Sequence, residues 1–102
     1  MRRAAKVDRN QSEIVEILRR YGAAVIITSQ LKNAFDILVG YNGKLFVMEI
    51  KDGELPPSKK RLTPGEQKCK DTLQKVKVNY YVVESPEQAI DIISKPIEKL
   101  SK

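Results

Sequence analysis

The spacing of apolar residues changes several times along this chain, and the changes predict the order αβββαβα. Ile14, Ile17, Leu18 and Tyr21 recur at helical intervals. Asn10 stands before them as an N-cap, with Glu13 placed as a capping-box partner, and Gly22 follows as a stop. Residues 23–28 (AAVIIT) form a short apolar run that reads as a buried strand, and 29–34 are a polar connection. Two strand-like runs, 35–41 and 44–51, flank Asn42-Gly43, a strong hairpin signal. Residues 52–62 read as a loop with Gly, two prolines and Lys59-Lys60-Arg61. Thr63-Pro64-Gly65-Glu66 supplies an N-cap, a proline at N1 and a capping-box Glu for a helix to about Val76. A strand over 78–84 follows. Ser85-Pro86-Glu87-Gln88 then opens a last helix to about Ser94, which Pro96 ends.

The 102 residues fit one domain, expected over 11–95, with a basic segment at 1–10 and a charged tail at 96–102. Hydrophobic residues at 41% and charged residues at 31% match a folded domain rather than a disordered chain. No apolar run reaches the ~20 residues of a membrane span. The N-terminus lacks a secretory h-region, so the expected compartment is the cytoplasm. Net charge is +6, a balance that favours polyanions, nucleic acid above all. There is no histidine, which excludes Ser-His-Asp and Cys-His catalysis and His-containing zinc sites. The single cysteine, Cys69, forms no internal disulfide and has no histidine to activate it. Any catalysis therefore falls to carboxylates, lysines, tyrosines or a hard cation.

A two-residue turn at Asn42-Gly43 pairs Tyr41 with Lys44 and brings Asp36 opposite Glu49. Alternation places Phe35, Ile37, Val39, Tyr41, Phe46, Met48 and Ile50 on a core face, with Asp36, Glu49 and Lys51 on the other. Carboxylates directly opposite repel each other. A divalent cation, a shared proton or the neighbouring lysine would each offset that repulsion. The pairing alone leaves these open beside a fourth reading, an ordinary solvated cluster at a strand end.

Asp36, then twelve residues, then Glu49-Ile50-Lys51 is similar to the D…(D/E)-x-K motif of the PD-(D/E)XK nucleases. NQSEIVEILRRYGAAVI, DILVGYNGKLFVMEIKDG, PPSKKRLTPGEQ and YYVVESPEQAIDII together resemble the VRR-NUC domain, the virus-type replication-repair nuclease module, over about residues 10 to 93. Phe35 stands where that family has a proline, and Lys70 where it has an aromatic. The resemblance implies an α/β fold with a mixed central sheet flanked by helices. It implies a Mg²⁺- or Mn²⁺-dependent phosphodiesterase with Asp36, Glu49 and the Ile50 main-chain carbonyl as metal ligands. Lys51 would position or activate the attacking water. Glu13 would complete the site from the first helix, and Gln67 would pack beside it. Stand-alone viral or bacterial relatives imply a homodimer that cleaves four-way DNA junctions, and fused relatives act on flaps. A non-catalytic DNA-binding module of the same fold is the alternative. Lys59, Lys60 and Arg61, close behind the motif in sequence, are expected to contact phosphates, as is Arg9 with Arg2, Arg3 and Lys6 in a basic arm.

Overall fold

The computed structural model describes residues 9–95. Arg9 and Asn10 are thus the described part of the basic N-terminal segment. The tail 96–102, with the stop expected at Pro96, lies outside the described residues. The elements run α1 (Gln11–Tyr21), β1 (Ala24–Ile27), β2 (Ile37–Tyr41), β3 (Lys44–Ile50), a 3₁₀ turn (Pro57–Lys59), α2 (Pro64–Lys75), β4 (Tyr80–Val83) and α3 (Pro86–Ser94). The sheet order is β1-β2-β3-β4. Pairs β1–β2 and β2–β3 are antiparallel, and β3–β4 is parallel. The parallel pair needs a crossover, which α2 supplies.

The hairpin forms in the expected register. Tyr41 faces Lys44 and Ile37 faces Met48, around Asn42 (φ 53°) and Gly43 (φ 81°). Two consecutive positive φ angles match the right-handed twist of the strands, and Asn-Gly adopts them at little cost. The face carrying Ile37, Val39, Phe46, Met48 and Ile50 is buried against Ile14 and Leu18 of α1 and Ala89 and Ile93 of α3. Tyr80 is buried, and Tyr81 packs partly buried against the same core.

Two local expectations are corrected. Asn10 occupies the N-cap position of α1, but its side chain caps no helix N–H. Its Nδ2 instead donates to the carbonyls of Lys51 (3.1 Å) and Glu84 (2.9 Å), tying α1 to the ends of β3 and β4. The Asn10–Glu13 capping box is therefore not made, and Glu13 stays exposed. The second correction concerns β2, which starts at Ile37 rather than Phe35. A continued ladder would give the Ile50 N–H to the Phe35 carbonyl. That carbonyl instead accepts from Thr28 Oγ1 (2.8 Å), and the Ile50 N–H donates to Asp36 Oδ2 (2.8 Å). Side chains take over the ladder at the point where the candidate site begins.

Candidate active site

Three elements converge where β2 begins and β3 ends. Asp36 immediately precedes β2, Glu49 and Ile50 close β3, and Lys51 follows it. The first turn of α2 lies across them. A cleft of about 380 Å³ is lined by Asp36, Glu49, Ile50 and Lys51 together with Lys59, Arg61 and Glu66. The antiparallel register ends at Ile37–Met48. Beyond it the Asp36 N–H donates to the Met48 carbonyl (3.1 Å) and Asp36 Oδ2 accepts from the Ile50 N–H (2.8 Å), so Asp36 is bound to both neighbours of Glu49. Glu49 is 3% exposed. Its Oε1 lies 3.3 Å from Tyr80 Oη, which is also 3.1 Å from the Ala34 carbonyl. Its Oε2 lies 3.6 Å from Lys51 Nζ. Lys51 Nζ is closer to Glu66 Oε1, at 3.1 Å. Glu66 is held by the Thr63 capping box, whose two hydrogen bonds measure 2.9 Å and 3.1 Å.

These contacts set the charge states. Burial pushes the Glu49 carboxyl up to about 9, the Asp36 charge adds to the rise, and so does a hydrogen bond with Glu66. Lys51 opposes the shift without cancelling it. The balance favours the protonated form of Glu49. Burial also works against ionisation of Glu66, but the Thr63 N–H, the Glu49 carboxyl and Lys51 outweigh it and hold Glu66 below the ordinary range. Tyr80 is raised by burial and by Glu49, so it stays a neutral phenol. The cleft thus joins Asp36 and Lys51 with a Glu66 held toward its ionised form and a Glu49 pushed toward its protonated one.

No protein-family model matches this chain, and no curated protein matches it. A solved structure described as a VRR_NUC domain is similar to it. That structure is 25% identical, covers 83% of this chain and 90% of its own length, and has a TM-score of 0.60. This chain has the fold of a VRR_NUC domain. It is a mixed α/β fold of the PD-(D/E)XK-like type, with a four-stranded mixed sheet flanked by helices.

Within this VRR_NUC fold the sequence-predicted residues divide. Asp36, Glu49, Ile50 and Lys51 come together. Gln67 does not join them, because it is exposed on α2 and donates to Asp71 Oδ1 (3.0 Å). Glu13 also lies elsewhere, in a separate cleft with Arg9, Asp52 and Glu54. Lys59 and Arg61 line the site. Lys60 is turned to Glu84 (3.2 Å), and Arg9 to Asp52 (2.5 Å) and Glu54 (2.8 Å). Arg2, Arg3 and Lys6 lie outside the described residues. Glu66 is the residue that sequence reasoning missed. The Thr63–Glu66 spacing marks it as a cap, and nothing in that spacing shows that the same carboxylate reaches Lys51. One oxygen, Oε1, accepts from both the Thr63 N–H and Lys51 Nζ.

The residues suit a hard divalent cation held by few protein ligands. Among the described residues no three His, Cys, Asp or Glu side chains are arranged as a metal cluster. Mg²⁺ needs no such cluster, because it takes one or two carboxylates and keeps several waters. The buried Glu49 shares the cleft with Asp36, whose charge adds to the effect of burial in raising the Glu49 pKa. The Ile50 N–H points at Asp36. In an antiparallel pair a residue's N–H and C=O point the same way, so the Ile50 carbonyl faces that side too. Two carboxylates and a carbonyl make an all-oxygen donor set. Glu13 lines a different cleft.

Proposed function

We propose that this chain is a divalent-metal-dependent endonuclease that hydrolyses DNA phosphodiester bonds at Asp36, Glu49 and Lys51. The observation that carries the reading is the convergence of Asp36, Glu49 and Lys51 in a cleft rimmed by Lys59 and Arg61. Asp36, Glu49 and the Ile50 carbonyl would hold Mg²⁺ or Mn²⁺, which polarises a phosphate oxygen and makes a water more acidic. Lys51 stands beside the carboxylates, where its ammonium can orient the attacking water and balance charge developing on the phosphate. Lys59 and Arg61 supply positive charge where a DNA backbone would enter.

The substrate in this proposal is branched DNA, a four-way junction first and flaps second, and the context is recombination and repair in the cytoplasm. The acting form is a homodimer, since two symmetric cuts need two sites. Exposed Ile26 and Ile27 on β1, an outer strand of the sheet, support self-association. No described helix is long and apolar enough to cross a membrane. The test is cleavage of labelled junction, flap and linear duplex with Mg²⁺ or Mn²⁺, run beside a mass measurement in solution. Wild type cuts. Asp36→Asn and Lys51→Ala each lose about a hundredfold or more. Undiminished cutting by both variants overturns the site. Metal-independent binding by wild type, with no cutting, selects the non-catalytic module instead.

A further inference from the structure

With the nuclease reading as premise, we propose that Glu66 is a positioning residue that anchors the Lys51 ammonium to helix α2 and draws it away from the Asp36–Glu49 pair. A lysine side chain loses up to ~2 kcal/mol of rotamer freedom when fixed, so a lysine that must act from one place needs a firm anchor. Lys51 has one. Its side chain is 12% exposed, and Nζ lies 3.1 Å from Glu66 Oε1 against 3.6 Å from Glu49 Oε2. That anchoring oxygen is itself fixed to backbone, because it accepts the Thr63 N–H at 2.9 Å. The anchor is therefore the first turn of α2 rather than the strand that carries the lysine.

The direction of the pull has a chemical consequence. Asp36 and Glu49 line one cleft with the Lys51 side chain. Without Glu66, Lys51 would turn to those two side chains, Glu49 Oε2 being already 3.6 Å away. An ammonium seated between them would compete with a cation for the same oxygens. Glu66 prevents this while keeping Lys51 inside the cleft. Its neighbour Gln67 turns instead to Asp71.

The test separates anchoring from capping and from metal ligation. Glu66→Gln keeps a side chain that can serve in a capping box but removes the charge. Glu66→Ala removes both. Thr63→Ala removes half of the box and keeps the carboxylate. In metal-free protein, the Lys51 ammonium signal in a ¹H–¹⁵N spectrum is assigned by its loss in Lys51→Arg. The signal survives in Thr63→Ala and disappears in Glu66→Ala. On a labelled junction, Glu66→Ala loses about tenfold or more in kcat with KM changed by less than about twofold. Glu66→Gln recovers part of that loss, and Mn²⁺ affinity stays within about twofold in both variants. An unchanged kcat, or a persistent ammonium signal in Glu66→Ala, overturns the proposal. So does a tenfold fall in Mn²⁺ affinity, which would make Glu66 a ligand. If wild type cuts nothing, the nuclease reading falls, and the ammonium signal still decides the anchoring.

Discussion

Glu49 is the residue on which stability and chemistry pull in opposite directions. Its carboxyl goes from an ordinary value of 4.5 to about 9 in the folded, metal-free chain, through burial and the Asp36 charge. The folded state therefore binds a proton that the unfolded state has released between these two values. Linkage fixes the sign. The contribution to stability is fully present below about pH 4.5, falls as pH rises and is lost by about pH 9. Metal-free protein melted across that window should lose stability toward alkaline pH, and Glu49→Gln should flatten the dependence. A melting temperature that rises toward pH 9 would contradict the assignment. The same proton has to leave before both carboxylates can hold a cation, so Mn²⁺ affinity should climb with pH over this window. At this scale the sequence was only partly legible. Asp36, Glu49 and Lys51 follow from alternation and turn length. Gln67 and Glu13 entered through family resemblance, and the side-chain directions of their helices place them elsewhere.

The hairpin and the start of α2 convert local sequence rules into site geometry. Asn42-Gly43 was readable because few dipeptides accept two positive φ angles, and the register followed from it. A slip of one residue would send Asp36 and Glu49 to opposite faces. Gly43→Val forces a β-branched residue to φ 81° and should cost about 1–3 kcal/mol, read by denaturant melting. Cleavage should fall further than the folded fraction explains, because Asp36 and Glu49 lose alignment. The docking of α2 was not legible, since it depends on a contact between segments far apart in sequence. A Cβ on Gly65 would lie 2.0 Å from Asn33 Oδ1 and 2.9 Å from Asn33 Cβ. Asn33 sits at φ 58° in the connection leading to Asp36. Gly65 thus lets the helix that carries Glu66 close against the segment that carries Asp36. Gly65→Ala should destabilise despite its better helix propensity. Adding Asn33→Gly, which tolerates that φ and removes the clashing atoms, should restore most of the loss. Additive losses in the double variant would show that this approach is not what matters.

Across the whole molecule, net charge is a poor guide to where DNA would lie. The chain carries 19 Lys and Arg against 13 Asp and Glu, yet the structure spends several of these cations on its own carboxylates. Arg9 bridges Asp52 and Glu54, and Lys60 pairs with Glu84. Lys59 and Arg61 instead line the cleft that holds Asp36 and Glu49. The sequence showed Lys59-Lys60-Arg61 as one cluster, whereas the 3₁₀ turn at Pro57–Lys59 aims its neighbours differently. The two sets should separate by salt dependence. Each phosphate contact adds about 0.9 to the slope of log affinity against log salt on duplex DNA. Lys59→Ala and Arg61→Ala should each weaken binding and lower the slope by about 1. Lys60→Ala should leave the slope unchanged, because its charge already serves Glu84. Filter binding or fluorescence anisotropy between about 50 and 200 mM salt reads both quantities. Asp36→Asn protein allows the measurement with Mg²⁺ present and without cleavage. Equal slopes for Lys59→Ala, Lys60→Ala and wild type would move the DNA path off this cleft and take the charge argument for the site with it.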